Sequence, residues 1–268
     1  MDANLRARVT TAAVAIPLLS GLVGWAPPWL FAGFFLLVTL AALREYFAIV
    51  FAARYRDQCL GMIFGLVLAL TVLVSNQQRL PLELSVILLL AFSVYPFMGG
   101  NLEERMHRLL WTLLGGFYVG FLVPHWVLLF RQLDGRAWVF FVFSIIMGGD
   151  TIAYFVGRRF GKKRLAPEIS PAKSVEGAWG YVVGGSIFGL VCAWCLFDRF
   201  NWLEALVLSM ILTVLGQIGD LFESWIKRMF AVKDSGALVP GHGGVLDRLD
   251  SLIFPAVFMT AYLRYFHS

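Results

Sequence analysis

Apolar stretches of about 20 residues follow one another along almost the whole chain, separated by short polar segments. A helix needs about 20 mostly apolar residues to cross the hydrocarbon core of a bilayer. Nine stretches approach this length, at 9–25, 28–43, 59–75, 81–98, 109–130, 137–157, 179–197, 202–219 and 246–266. The pattern predicts an all-α polytopic integral membrane protein with about nine transmembrane helices.

The composition excludes most other classes of protein. Of the 268 residues 59% are hydrophobic and only 15% are charged, and the mean hydropathy is +0.77. A soluble domain carries about 25% charged residues, so a soluble or disordered chain is excluded, and three Cys are too few for a disulfide scaffold. In a membrane protein the positions of Lys and Arg determine how the chain is oriented in the bilayer. We therefore do not read the net charge of +5 as a sign of nucleic-acid binding, and we expect no nucleic-acid partner.

The distribution of Lys and Arg predicts the orientation. If nine spans begin with the N-terminus in the cytoplasm, 17 of the 22 Lys and Arg residues fall on the cytoplasmic side. The other five face outward: Arg79, Arg131, Arg136, Arg199 and Arg264. Because cytoplasmic loops of membrane proteins are enriched in positive charge, we expect a cytoplasmic N-terminus, an external C-terminus and a multi-pass protein of the cell's inner membrane.

Two cytoplasmic loops, 158–178 and 227–247, are longer and more polar than the other connections. The chain is therefore predicted to be a single membrane domain, 1–268, without a soluble appendage. Residues 1–135 supply the N-terminal helices, and residues 136–268 supply the helices and loops that carry the chemistry.

Asp150 lies inside the sixth span, seven residues before Gly157, or about 10 Å from the cytoplasmic end of that helix. An ionised carboxylate there needs a partner, a cavity or a cation. Asp150, Tyr154 and Gly157 share one helical face, which we expect to point into the helix bundle. A structural ion pair with a neighbouring helix is the alternative explanation.

Further acids lie at the cytoplasmic ends of the eighth and ninth spans. One face of the eighth helix carries Asp220, Glu223 and Lys227. The ninth helix begins with two acids on one face, Asp247 and Asp250. Simple ion pairing within a helix explains part of this pattern. Carboxylates from separate helices at one level also suit Mg²⁺, which binds through one or two carboxylates together with substrate phosphates.

The two loops are candidate phosphate-binding segments. The first presents Ser170, Lys173, Ser174 and Glu176 just before a helix, which suits an anion, although a basic loop that binds lipid headgroups has the same composition. The second carries Lys233, several glycines and His242. That histidine either donates a hydrogen bond to a phosphate or stabilises the turn.

The second loop also carries an extended motif. It reads Ser224-Trp-Ile-Lys227-Arg228, then Lys233-Asp234-Ser-Gly236, then Pro240-Gly-His242-Gly243-Gly244-Val-Leu-Asp247-Arg248-Leu-Asp250. This run of about 27 residues, 224–250, resembles the signature of the phosphatidate cytidylyltransferases (CDP-diacylglycerol synthases). Segments 150–162 and 167–177 resemble the same family, whereas the N-terminal half matches it only in hydropathy.

The resemblance implies a function and a set of roles. Members of this family transfer CMP from CTP to phosphatidic acid, giving CDP-diacylglycerol and pyrophosphate, with Mg²⁺ and a monovalent cation such as K⁺. We therefore expect CTP, phosphatidic acid and membrane lipids as partners, a homodimer, and an active site that faces the cytoplasm. By resemblance, the metal ligands are Asp220, Asp247 and Asp250, which with Lys173 form the catalytic set. The substrate-binding residues are Ser170, Lys173, Ser174, Lys227, Arg228, Lys233, His242 and Arg248, and the orienting residues are Asp150, Tyr154, Glu176 and Glu223.

Three alternatives remain open at this point. A CTP-using lipid-phosphate enzyme with another acceptor, such as a polyprenol kinase, shares part of the chemistry. A specialised homologue of the same family would use a different lipid. A transporter also combines nine spans with intramembrane acids, but it predicts charged residues near the midplane and repeat symmetry, neither of which the sequence has.

Overall fold

Helices account for nearly all of the computed structural model, which describes residues 3–76, 78–199, 201–238 and 243–266, with side chains from residue 13 onward. The helices are α1 (Ala3–Trp25), α2 (Pro28–Val50), α3 (Tyr55–Val74), α4 (Leu80–Val94), α5 (Leu102–Gly115), α6 (His125–Phe130), α7 (Gly135–Phe160), α8 (Val175–Leu196), α9 (Trp202–Met229) and α10 (Leu246–Phe266). A 3₁₀ turn, Tyr95–Phe97, extends α4, and a π-helical segment, Gly116–Phe121, connects α5 towards α6.

The prediction of an all-α membrane protein is confirmed. Seven helical segments of the described chain are long and apolar enough to cross a membrane. Each of the nine predicted spans falls on a helical segment, because α5, the π-helical segment and α6 together cover the fifth span. The first span retains an apolar helix at Ala13–Trp25, and the ninth is α10, whose 21 residues include Asp247, Arg248, Asp250 and Arg264.

Polar residues define where several helices begin. The Asn101 side chain accepts a hydrogen bond from the Glu104 amide at 2.7 Å and caps α5. Asn201 caps α9 in the same way through the Leu203 amide at 2.9 Å. Such caps satisfy amides that have no partner within the helix. They fix the starts of helices whose interiors are apolar.

The ends of two helices and the structure of one loop differ most from the prediction. Helix α2 continues to Val50, seven residues past its predicted end, and α9 continues to Met229, ten residues past its predicted end. The first polar loop is not purely irregular: β1 (Arg164–Ala166) and β2 (Ser170–Ser174) form an antiparallel hairpin in which Arg164 pairs with Ser174. The helix extensions carry the charged residues Glu45 and Lys227 beyond the apolar runs.

One apolar core runs through both halves of the sequence. It includes Phe31 and Phe47 of α2, Ile145 of α7, Leu212 of α9 and Ile253 of α10. Helix α9 packs closely on α10 at Gly219, where an added Cβ would collide with the backbone carbonyl of Asp250. This close approach brings the acidic ends of the two helices together.

Candidate active site

The polar end of α9 and the first turn of α10 form the centre of the candidate site. Because the two backbones touch at Gly219 and Asp250, Asp220 and Asp250 lie side by side. Asp220, Glu223 and Asp250 are close enough to interact electrostatically. The sequence prediction that acids from separate helices converge is therefore met for these three residues.

Two buried tyrosine hydroxyls face this group of acids. Tyr118, in the π-helical segment, is 3% exposed and packs against Phe222 of α9. The Tyr181 hydroxyl of α8 lies against Gly216 of α9. Neither hydroxyl has a hydrogen-bond partner among the described residues. Because a buried polar group without a partner is costly, these hydroxyls favour a polar ligand in this part of the fold. Sequence analysis missed both tyrosines, since each lies within an apolar run.

Lys227 links two of the predicted site acids. Its ammonium group lies 2.5 Å from a carboxylate oxygen of Glu223 and donates a hydrogen bond to Asp247 at 2.7 Å. All three side chains are almost completely buried. Lys227 therefore neutralises two carboxylates from different helices and holds the end of α9 against the start of α10.

The Asp247 carboxylate also accepts hydrogen bonds from the second loop, which the sequence did not predict. Besides Lys227, the backbone amides of Ser235 and Gly244 donate to its carboxylate at 3.0 Å and 2.9 Å. The carboxylate thus organises the described parts of the second loop, 233–238 and 243–246, around the first turn of α10. Its oxygens are largely used by the chain itself, whereas the partners of Asp220 are two side chains, Lys173 and Ser224.

The hairpin of the first loop delivers Lys173 to α9. The Lys173 ammonium forms a short ion pair with Asp220, and the two side chains are 29% and 28% exposed. Ser174 caps α8 by accepting a hydrogen bond from the Gly177 amide at 3.1 Å. Glu176 accepts one from the Lys162 amide at 3.0 Å and so fixes the start of the loop.

The predicted inward face of α7 is wrong for Tyr154. The Tyr154 side chain is 59% exposed, and its hydroxyl accepts a hydrogen bond from Arg158 at 3.0 Å. Asp150 is also exposed, while Gly157 packs against the start of α8. The glycines of α8 draw that side of α7 onto the neighbouring backbone, which turns Tyr154 away. Lys173, Asp220 and Arg248 are all within electrostatic range of Asp150.

The remaining predicted residues lie around this centre. Arg228 is exposed and donates a hydrogen bond to the carbonyl of Ile169 at 3.2 Å, so it connects the two loops. Lys233 and Arg248 are exposed, and Ser170 is half-buried at the start of β2. His242, the remaining predicted phosphate donor, lies outside the described residues.

A further acid comes from the N-terminal half. Glu45 of α2 is 4% exposed and accepts hydrogen bonds from the Val245 and Leu246 amides at 3.0 Å and 2.8 Å. Sequence analysis missed Glu45 because the second span was predicted to end before it. The available signal was a charged pair, Arg44-Glu45, that interrupts an apolar run and is followed by Tyr46 and Phe47.

The donor set fits a cation that binds together with a phosphate ligand. Within the described chain, no three His, Cys, Asp or Glu residues converge as a complete metal cage. Mg²⁺ does not require such a cage, since it takes one or two carboxylates and completes its shell with water and phosphate oxygens. Asp220 and Asp250, next to the two tyrosine hydroxyls without partners, match that requirement.

One protein-family model matches this chain along nearly its full length. The model of the Cytidylyltransferase family matches residues 6–266. The chain belongs to the cytidylyltransferase family. That family model includes α2 as well as the loops around α9 and α10, so Glu45 lies within the matched region.

Individual relatives align over a shorter region than the family model. A phosphatidate cytidylyltransferase of Bacillus subtilis is 39% identical over 155 residues, which are 57% of this chain and 57% of the relative. One from Brucella abortus is 41% identical over 150 residues, 56% of this chain and 55% of the relative. One from Staphylococcus saprophyticus is 47% identical over 124 residues, 45% and 46%. The chain thus spans about half the length of the curated relatives that it matches.

Proposed function

We propose that this cytidylyltransferase-family protein transfers CMP from CTP to phosphatidic acid at the cytoplasmic face of the inner membrane, giving CDP-diacylglycerol and pyrophosphate. The observation that carries the proposal is the Lys173–Asp220 pair, in which an anion-binding ammonium of the first loop meets a cation-binding carboxylate of α9 and both side chains remain partly exposed. The names of the relatives, phosphatidate cytidylyltransferases, support CTP and phosphatidate as the substrates.

The reaction needs charge neutralisation more than it needs a strong base. An oxygen of the lipid phosphate forms a bond to the α-phosphorus of CTP, and the bond from that phosphorus to the oxygen bridging to the β-phosphate breaks. A phosphate monoester has a second pKa of about 6, so at pH 7 the nucleophile is already mostly dianionic. The barrier is the approach of one polyanion to another, which positioning and positive charge lower.

Two groups of residues supply this positive charge, one for CTP and one for the lipid phosphate and pyrophosphate. Lys173, with the hydroxyls of Ser170 and Ser174, binds phosphates of CTP. Arg228, Lys233 and Arg248 line the same side of the molecule, and we assign them to the lipid phosphate and the departing pyrophosphate. His242 is assigned with them by resemblance. Lys227 neutralises Glu223 and Asp247 and so keeps the two buried acids from repelling the anionic substrates.

The cation ligands in this proposal are Asp220, Asp247 and Asp250, which would hold Mg²⁺ together with K⁺ as a second cation. Bound Mg²⁺ would supply positive charge to the phosphoryl oxygens of the transferring group. Asp150, Glu176 and Glu223 orient the loop and its lysines. We further propose that the protein acts as a homodimer, which its mass in detergent solution tests.

The decisive experiment follows the label from two forms of CTP. Purified protein in detergent is given phosphatidic acid, Mg²⁺ and either [α-³²P]CTP or [γ-³²P]CTP, and in parallel a polyprenol replaces the phosphatidic acid. Cytidylyl transfer predicts that only the α-label enters the lipid. Entry of the γ-label into lipid would instead establish a kinase, and incorporation of neither label would overturn the proposal.

The same assay tests the site with two matched variants. Asp220→Asn is expected to lose at least about 100-fold in turnover, or about 2.7 kcal/mol of transition-state stabilisation. Asp198→Asn changes an exposed aspartate after the far end of α8 and is expected to retain wild-type turnover. Equal activity of the two variants in an active protein would remove Asp220 from the site.

A further inference from the structure

Glu45 occupies an unusual environment for a carboxylate. It is 4% exposed, and three donors converge on it from a segment about 200 residues later in the chain. The Val245 amide donates to one oxygen at 3.0 Å, while the Leu246 amide and the Ser235 hydroxyl donate to the other at 2.8 Å and 3.1 Å. Among the described residues no ion pair involves Glu45, and the partners of its charge there are these three hydrogen bonds.

Two glycines of the loop are in close contact with the same carboxylate. A Cβ atom on Gly236 would lie 2.5 Å from one Glu45 oxygen, and one on Gly244 would lie 2.6 Å from the other. Any larger residue at these positions would displace the carboxylate or the loop. The described parts of the second loop therefore fold around Glu45. Positions 236 and 244 are glycines because the Glu45 carboxylate leaves no room there for a Cβ atom.

The hydrogen bonds of Glu45 continue to Asp247. The Ser235 hydroxyl donates to Glu45 and accepts from the Asp247 amide at 3.3 Å. The Ser235 amide in turn donates to the Asp247 carboxylate at 3.0 Å. One serine thus connects the buried acid of α2 to the acid at the start of α10.

We propose that Glu45 is a positioning residue that sets the conformation of the second loop and the orientation of Asp247 during the reaction. This inference rests on the proposed function, because it assumes that Asp247 and the loop act in cytidylyl transfer. A carboxylate suits the position since both oxygens must accept. In a glutamine one of the two oxygens becomes an NH₂ group, which can satisfy the Ser235 hydroxyl but not a backbone amide.

The test compares Glu45→Gln and Glu45→Ala with a control, Glu103→Gln, which changes an exposed acid on α5. For each protein kcat and KM for phosphatidic acid are measured per folded molecule. We expect kcat to fall about 10- to 100-fold in Glu45→Ala and less in Glu45→Gln, with KM changed less than twofold, since Glu45 is almost completely buried. Glu103→Gln should match the wild type.

A second measurement reports on the loop without turnover. Hydrogen exchange followed by mass spectrometry is expected to rise at least tenfold for the Val245 and Leu246 amides in Glu45→Ala, because both lose their acceptor. If Glu45→Ala does not fold, Ser235→Ala serves instead, since it removes only the hydroxyl that joins Glu45 to Asp247, and a fall in kcat is again expected.

The possible outcomes are distinguishable. An inactive wild type would contradict the proposed function. An active wild type with normal kcat in Glu45→Ala, or in Ser235→Ala where that variant is the one that folds, would overturn the positioning role alone. A fall in kcat in Glu45→Ala without faster amide exchange at Val245 and Leu246 in that same variant would also overturn it, because the loop would then be unchanged.

Discussion

Several charged residues of the candidate site serve two partners each. Lys227 contacts both Glu223 and Asp247, and Asp247 also accepts from two loop amides. Burying a charge is favourable only when its partners remove the desolvation cost. A single substitution in such a group therefore leaves more than one buried atom without a partner.

Replacing Lys227 shows this effect most directly. Lys227→Met keeps an unbranched apolar side chain of similar size but leaves two buried carboxylates without their ammonium partner, so we expect a loss of about 3–5 kcal/mol in stability. The measurement is thermal unfolding in detergent, with Lys162→Met, an exposed lysine, as the control. Adding Glu223→Gln to Lys227→Met should restore part of the loss, because one of the two unpaired charges is then removed. No recovery would argue against charge as the cause.

At the level of secondary structure, the packing of α8 on α7 determines where the hairpin lies. Glycines recur along one face of α8 and meet branched residues of α7: a Cβ on Gly180 would lie 2.9 Å from the Cβ of Val156, and one on Gly184 would lie 2.5 Å from the Cβ of Ile152. Small residues let membrane helices approach closely. The start of α8, and with it Lys173 at the end of the hairpin, is therefore held against the end of α7.

Adding a methyl group at this contact tests the argument. Gly184→Ala forces α7 and α8 apart, so we expect a loss of about 1–3 kcal/mol in stability and lower turnover as Lys173 moves relative to Asp220. Gly33→Ala on α2 is the matched control, because no atom lies within 4 Å of the added Cβ. Its stability should be unchanged or raised by up to about 1 kcal/mol. The check is thermal unfolding together with the labelled-CTP assay, and equal behaviour of the two variants would contradict the role of this contact.

The elements that could be predicted from the sequence are those with a local pattern. Apolar runs of about 20 residues predict the spans, and i, i+3 spacing places Asp220 with Glu223 and Asp247 with Asp250. The end of α2 could not be predicted in this way. Its apolar run stops at Leu43, but Arg and Glu are good helix formers, and Glu45 is buried by donors from positions 235–246. A contact over 200 residues has no periodicity, so Glu45 was missed.

For the molecule as a whole, side-chain contacts divide the helix ends into two sets. At one end Arg131 donates to the carbonyl of Leu73 at 2.9 Å, and Arg136 donates to that of Ala26 at 2.9 Å, so both cap the ends of earlier helices. At the other end lie Glu45, the hairpin and the acids of α9 and α10. Two of the five arginines predicted to face outward thus lie at the end of the molecule opposite the candidate site.

This division leads to a test of orientation. CTP is cytosolic, so the proposed reaction requires the end with Glu45 and Asp220 to face the cytoplasm, as the distribution of Lys and Arg also predicts. Leu102, at the start of α5, and Leu133, in the turn before α7, are each 82% exposed and lie at opposite ends. In a background lacking the three native cysteines, we expect a membrane-impermeant maleimide to label Leu133→Cys in cells whose outer membrane is permeable or absent. Leu102→Cys should be labelled only after the inner membrane is opened. Because the two positions match in exposure, a difference in labelling reports the side of the membrane, and the reverse pattern would place the candidate site on the side without CTP.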